Sequence, residues 1–131
     1  MTSPESSGLI SIPSLHSVDE TVARLTQLLA AKGVKLFAVI DHSGEATAAG
    51  LSMPPTKVVL FGNPKAGTPL MLAAPSIAID LPLKLLIAQD PTGATTITWN
   101  APAYLRTRHN LPEDLLANIA VIETLAHKVA E

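Results

Sequence analysis

A chain of 131 residues without cysteine is long enough to build one domain around its own core, and it cannot form disulfides or thiolate metal sites. Its net charge of −2, with only one Trp, one Tyr and two Phe, lacks the basic excess and stacking side chains of a nucleic-acid-binding surface. No run approaches the roughly 18 apolar residues of a membrane span, and the first residues show no signal-peptide pattern, so we expect a cytoplasmic protein that does not bind membranes.

The predicted elements alternate between short strands and amphipathic helices. Residues 17–20 form a capping-box pattern before apolar residues at helical spacing, and Gly33 ends that helix. Shorter runs rich in Val, Ile and Phe predict strands, and the turn at 90–93 joins two of them as a hairpin. Residues 1–7 are polar and expected to be loose, which leaves 8–131 as a single domain. In chain order we predict strand 8–13, helix 18–32, strands 35–42 and 57–61, helix 68–74, strands 83–89 and 95–99, and helices 101–108 and 113–130.

The order β-α-β-β-α-β-β-α-α contains no internal repeat and no βαβαβ series. It predicts an α+β fold, with a mainly antiparallel sheet of about five strands covered by helices. The connection 43–56 is expected to hold only one helical turn, at 45–49. The last predicted helix, 113–130, has a main apolar stripe that includes Ile122, and Leu116, Val121 and Leu125 widen the apolar arc beyond one face. This surplus is available for a subunit contact.

The segment FGNPKAGTPL, residues 61–70, has the glycine spacing of a nucleotide-binding loop but not its chemistry. That loop needs Lys and then a hydroxyl residue after its second glycine, whereas this chain has Thr68 and Pro69 there. We therefore interpret the segment as the end of a strand at Phe61, a turn, and a helix that Thr68 caps and Pro69 begins. Lys65 beside this helix start still favours anions.

Four motifs in order resemble the bacterial proteins grouped as domain of unknown function 302. They are Asp-His at the end of the second strand, Gly-Asn-Pro-Lys-x-Gly-Thr at 62–68, Asp-Leu-Pro-Leu-Lys at 80–84, and Arg-His before the last helix. The resemblance covers about residues 16–130. It implies a compact α+β fold and a homodimer, and it implies no reaction, substrate or cofactor.

Polar residues at the ends of predicted elements are the candidate site, because scaffolds present binding groups at such ends. We predict a non-catalytic homodimeric module that binds a small anionic ligand, without a cofactor. Its cleft would be built from His42, Lys65, Asp80, Arg108 and His109.

Two other functions fit the same residues. The first is a small hydrolase or isomerase in which His42 or His109 is the general base and Asp80 is its partner or a metal ligand. The second is a structural or interaction protein that uses the apolar arc of the last helix. Each candidate also has a plain interpretation: His42 as a hydrogen-bonded loop residue, Arg108 and His109 as cations at a helix C-terminus, and Asp80 as a turn residue.

No metal site is predicted. Glu123 and His127 are one helical turn apart, a spacing that zinc can use, but exposed pairs of this kind are commoner. The sequence also shows no recognisable Ser-His-Asp order.

Overall fold

The computed structural model describes residues 7–131 and contains one sheet of five antiparallel strands. Their order across the sheet is β1-β5-β4-β3-β2, so β2 to β5 pair in chain order, and β1 joins the sheet by pairing with β5. The predicted α+β class with an antiparallel sheet is confirmed. Apart from Ser7, the predicted loose segment 1–7 lies outside the described residues. The strands are β1 (Leu9–Ser14), β2 (Lys35–Asp41), β3 (Thr56–Gly62), β4 (Leu83–Gln89) and β5 (Thr95–Asn100).

Helices connect the strands and supply the second layer of the core. Side chains alternate between buried and half-buried along β4 and β5, as expected for a sheet with one covered face. The helices are α1 (Val18–Ala31), α2 (His42–Ala48), α3 (Pro64–Ala73), α4 (Pro102–His109) and α5 (Ala117–Ala130), with 3-10 helices at Pro75–Asp80 and Glu113–Leu115. The largest fully buried side chains come from both layers and include Leu25, Leu29, Phe61, Leu70, Leu85, Ile87, Ile97, Ile119 and Leu125.

Residue His42 begins a helix rather than ending a strand. Asp41 caps α2 by accepting a hydrogen bond from the Gly44 N–H at 2.9 Å, so the chain turns into seven helical residues instead of one short turn. The Ser43 hydroxyl then accepts from the Thr56 N–H at 3.0 Å, which ties this helix to the start of β3. The predicted strand 35–42 is therefore wrong by one residue, and the helical part of 43–56 was underestimated.

The start of α3 also differs from the prediction. Asn63, not Thr68, is the cap: its side-chain oxygen accepts from the Lys65 N–H at 3.0 Å, and Pro64 occupies the first helical position. Pro69 therefore lies inside the helix. The rule that places Pro at a helix start was correct, but it applied to the earlier of the two prolines.

The last helix is interrupted, and its wide apolar arc is buried. A 3-10 turn at Glu113–Leu115 precedes α5, so the predicted continuous helix 113–130 is wrong at its start. Helix α5 packs against α1, α3 and the inner face of the sheet, and this leaves Ile122 only 2% exposed and Leu125 fully buried. Among the large apolar residues of α5, only Val121 is exposed, at 41%. Of the surplus predicted for a subunit contact, Leu125 lies in the core and Leu116 packs against it, so only Val121 is left exposed.

Strand β2 is an edge strand with exposed residues on both faces. Its partner register skips Phe37, since Leu36 pairs with Phe61 while Ala38 pairs with Leu60. This bulge interrupts the regular two-residue alternation of the strand between Leu36 and Ala38. Four large apolar side chains of β2 are 39–46% exposed: Leu36, Phe37, Val39 and Ile40.

Candidate functional site

Three of the predicted site residues meet at one end of the sheet. Asp80 is the last residue of the 3-10 helix before β4, and Arg108 and His109 are the last two residues of α4. His109 Nε2 lies 2.5 Å from Asp80 Oδ2, and Arg108 Nη1 lies 3.3 Å from both carboxylate oxygens. The structure thus joins the Asp-Leu-Pro and Arg-His motifs through their charged side chains.

A residue that the sequence did not suggest completes this cluster. The Ser76 hydroxyl lies 2.7 Å from His109 Nδ1, so both ring nitrogens of His109 are hydrogen-bonded. Ser76 stands four residues before Asp80 in the same short helix, and this proximity was visible in the sequence. The sequence did not show that this short helix packs against the end of α4, where His109 lies 33 residues after Ser76.

The charges within the cluster are already paired. Arg108 and His109 both face the Asp80 carboxylate, and Lys84 Nζ donates to the Asp80 main-chain carbonyl at 3.2 Å. The side chain of His109 is 4% exposed and that of Asp80 is 12% exposed, whereas Arg108 is half exposed. Because the Asp80 carboxylate is paired with the Arg108 guanidinium, Arg108 is not free to bind an anion as the predicted cleft requires.

The other two predicted site residues lie elsewhere. His42 follows Asp41, which pairs with Lys57 near the start of β3, while Asp80 lies near Leu83, which pairs with Phe61 near its end. The four residue steps from Lys57 to Phe61 span about 13 Å along β3, and this separates His42 from the cluster. Lys65 is exposed on the first turn of α3, and its side chain forms no hydrogen bond or ion pair within residues 7–131. The structure does not bring all five residues into one cleft.

A pocket of about 280 Å³ lies beside the glycine segment that the sequence singled out. Its walls come from the edge strand β2, the end of β3, helix α3, the Leu81-Pro82 segment and the start of α5. Most of its wall is apolar, and no charged side chain lines it. The lining residues are Phe37, Gly62, Asn63, Pro64, Ala66, Gly67, Thr68, Leu70, Met71, Ala78, Leu81, Pro82, Leu83, Asn118 and Ile119.

One polar side chain of the pocket wall has a fixed orientation. Asn118 Nδ2 donates to the main-chain carbonyl of Ala66 at 3.0 Å, which ties the start of α5 to α3. A carbonyl can only accept, so the amide nitrogen must face it, and the Asn118 Oδ1 atom keeps its capacity to accept a hydrogen bond. The wall therefore combines apolar contact with three polar side chains, Asn63, Thr68 and Asn118.

The remaining histidines have local partners. The His127 ring lies edge-on to Trp99 with ring centroids 6.0 Å apart, and His16 Nδ1 lies 3.3 Å from Glu20 Oε2. Within residues 7–131, no three His, Asp or Glu side chains are arranged to hold a metal ion. None of the helices in that range is long and apolar enough to cross a membrane.

Known proteins resemble this chain in sequence and in fold. A region 41% identical over 111 residues occurs in "Fluoride-specific ion channel FluC 1" of Brucella suis and of Brucella abortus, and in "Fluoride-specific ion channel FluC 2" of Brucella melitensis. This region is 85% of the present chain but only 44% of the first protein and 41% of the other two. The chain thus spans less than half the length of these curated relatives.

The crystal structure of an uncharacterized conserved protein from Bacillus stearothermophilus superposes with a TM-score of 0.77, covering 95% of this chain and 96% of that one. At 21% identity this likeness shows a shared fold. The model of the family "Domain of unknown function DUF302" matches residues 10–131, which is nearly the whole chain. The protein therefore belongs to the DUF302 family.

Proposed function

We propose that this chain is a homodimeric module that binds a small, mainly apolar molecule in the pocket beside the Gly62–Gly67 segment. The observation that carries the proposal is the pocket itself: about 280 Å³, mostly apolar walls, and few polar side chains, of which Asn118 is oriented by its bond to Ala66 and keeps Oδ1 as an acceptor. Small-molecule sites commonly have this composition, with apolar walls and few polar groups that fix orientation. The ligand class is thus an apolar molecule with one hydrogen-bond donor.

This proposal replaces the anionic ligand expected from the sequence. Lys65 is not part of the pocket wall, and Arg108 and His109 are directed to Asp80. An anion moved into an apolar wall without a cation would lose hydration and gain little in return. The pocket therefore favours neutral ligands.

A titration with indole tests this assignment, because indole is planar, apolar and has one N–H donor. The chain contains three methionines, and Met71 lines the pocket whereas Met53 lies in the connection before β3. We expect indole to shift the methyl NMR signal of Met71 in a saturable way and to leave that of Met53 unchanged. An unmoved Met71 signal, or equal shifts of both signals, would contradict the proposal.

Two substitutions at Gly67 make the test specific for the pocket. A Cβ atom at Gly67 would meet its nearest neighbour, Leu81 Cδ1, at 3.8 Å, which is an ordinary contact. Gly67→Ala should therefore keep indole binding, whereas Gly67→Leu should fill the pocket and abolish it. Indole binding that survives Gly67→Leu unchanged would place the ligand elsewhere.

The Brucella relatives suggest fluoride as a second ligand to test. Their names describe fluoride-specific channels, and the matched region is less than half of each protein. We propose that in such proteins this region is an accessory binding module, and that it does not itself hold fluoride, because the pocket supplies no charged side chain. Sodium fluoride should then leave the Met71 signal unmoved, and a saturable fluoride shift would overturn this part.

Self-association through β2 is the second element of the proposal. The outer edge of β2 has no strand partner within residues 7–131, and its apolar side chains are exposed on both faces. Lys35 begins the strand and Asp41 ends it, so antiparallel pairing of two copies sets the positive end of one against the negative end of the other. A second copy of this chain is therefore the partner that the edge fits.

A further inference from the structure

Ser76, His109 and Asp80 form a continuous chain of hydrogen bonds outside the apolar pocket. The distances are 2.7 Å from Ser76 Oγ to His109 Nδ1 and 2.5 Å from His109 Nε2 to Asp80 Oδ2. We propose that this chain is a nucleophilic centre that hydrolyses small carboxylic esters. Ser76 is the nucleophile, His109 is the general base, and Asp80 is a positioning residue.

Hydrogen-bond chemistry gives each atom of this chain a direction. A carboxylate accepts only, so Nε2 of His109 must carry the proton that faces Asp80. In the neutral ring Nδ1 is then the acceptor, and it takes the hydrogen bond from the Ser76 hydroxyl. The serine proton is therefore directed at a free base, which is the arrangement that activates a hydroxyl nucleophile.

Burial supports this division of roles. The His109 side chain is 4% exposed and that of Asp80 is 12% exposed, so the base and its partner are held in a fixed position. Arg108 Nη1, at 3.3 Å from both Asp80 oxygens, fixes the carboxylate from the other side. Ser76, in contrast, is exposed, as a nucleophile must be to meet a substrate from solution.

The proposed ester hydrolysis needs no reagent other than water. Ser76 Oγ bonds to the ester carbonyl carbon while its proton passes to His109 Nδ1, and the resulting imidazolium faces the Asp80 carboxylate. The bond between carbon and the leaving oxygen then breaks, and the Nδ1 proton goes to the departing alcohol. Water then attacks the acyl-serine while one of its protons passes to Nδ1. The bond between carbon and Ser76 Oγ breaks to release the carboxylic acid, and the Nδ1 proton returns to Oγ.

The neighbour of Ser76 indicates the kind of ester. In a 3-10 helix, residues three apart stand on the same side, so Ile79 lies beside Ser76 on the Pro75–Asp80 helix. Ile79 is 74% exposed, which leaves a large apolar side chain free next to the hydroxyl. An ester with a short apolar acyl group fits this contact better than a charged or peptide substrate.

Labelling with a fluorophosphonate probe tests the nucleophile. We expect mass spectrometry to find the probe on Ser76, whereas Ser52, an exposed serine in the connection before β3, should stay unlabelled. His109→Gln should slow labelling at least about 100-fold, the lower end of general-base contributions. Labelling of Ser76 no faster than of Ser52 would overturn the proposal.

Because His109 is buried, its substitution can also unfold the chain, so a second measurement uses the unaltered protein. The nitrogen NMR shifts of the His109 ring report which nitrogen carries the proton. At neutral pH we expect Nε2 protonated and Nδ1 free. A proton on Nδ1 would contradict the proposal, since His109 could not then accept the serine proton.

Discussion

At the scale of single residues, Asp41 begins α2, and its pKa reflects that role. The Ser43 hydroxyl donates to its carboxylate at 2.7 Å and the Gly44 N–H donates at 2.9 Å, and these bonds lower the pKa of Asp41 below its usual 3.8. Folding therefore favours the ionised form. The stabilisation is complete above the unfolded-state pKa and is lost as the pH falls through the lower folded-state value.

We expect the unfolding free energy of the wild type to fall relative to that of Asp41→Asn as the pH drops below about 4. Urea denaturation at a series of pH values measures this difference. Ser43→Ala removes the largest cause of the pKa shift but keeps the carboxylate, so its pH dependence should lie between the two. Parallel pH curves for the wild type and Asp41→Asn would show that Asp41 has no such role.

Gly8 and Gly50 share a left-handed backbone conformation, but only Gly8 also lies against another side chain. Both have a positive φ, +75° and +80°, but a Cβ at Gly8 would lie 2.5 Å from the Tyr104 ring, while Gly50 has open space around it. Gly50→Ala should cost about 1 kcal/mol from backbone strain, and Gly8→Ala about 1–3 kcal/mol more from the clash. Urea denaturation measures both values.

The double variant Gly8→Ala/Tyr104→Ala provides the control for the clash. Removing the ring removes the steric term, so the added cost of Gly8→Ala over Gly50→Ala should largely disappear in the Tyr104→Ala background. Equal costs at Gly8 and Gly50 in the wild-type background would exclude the close approach of Tyr104.

At the scale of elements, the start of α3 can be tested directly. The Asn63 side chain caps the helix, and Thr68 lies inside it with no capping bond. Asn63→Ala should therefore destabilise the fold by about 0.5–2 kcal/mol, and Thr68→Ala by less than about 0.5 kcal/mol. Thermal or urea unfolding measures both losses of stability. A larger loss for Thr68→Ala than for Asn63→Ala would contradict the Asn63 cap and support the helix start at Thr68 that the sequence suggested.

Elements with local signals could be predicted, and those set by tertiary contacts could not. Strand β4 is a short apolar run, β5 alternates in polarity, and a turn-forming segment joins them, so their positions follow from the sequence. Helix α2 is tied to β3 by the Thr56 N–H, which donates to the Ser43 hydroxyl 13 residues away, and the sequence of the helix does not indicate that partner. The apolar arc of α5 is wide because the helix packs against α1, α3 and the sheet. The sequence of one helix does not show how many elements will contact it.

At the scale of the whole molecule, sequence reasoning found the polar cluster but not the pocket. Asp80, Arg108 and His109 were recognisable as charged residues at element ends, and the structure joins them. His42 carried the same signal, but the length of β3 keeps it at the other end of the sheet. The pocket draws its wall from five segments, so no single stretch of sequence could reveal it.

The proposed dimer is a property of the whole molecule and is tested through β2. Val39→Lys places a charge in the middle of the exposed strand, a change that natural edge strands use to block pairing. We expect sedimentation to show a shift from dimer to monomer at equal protein concentration. Leu72→Lys, at a residue of α3 that is 80% exposed, is the matched control and should leave the dimer intact.

Equal effects of Val39→Lys and Leu72→Lys would remove β2 from the interface. A wild-type chain that sediments as a monomer at every concentration would exclude the dimer itself. Either result would leave the pocket proposal to be judged separately, because each chain builds its pocket from its own residues.

The most direct test of the central claim is a crystal structure of the protein grown with indole. The account predicts indole density between Phe37, Pro82 and Ile119, with its N–H directed to Asn118 Oδ1. Density at that position in the wild type and in Gly67→Ala, but not in Gly67→Leu, is the expected outcome. A well-ordered wild-type structure with an empty pocket, or with indole bound only elsewhere, would contradict the account.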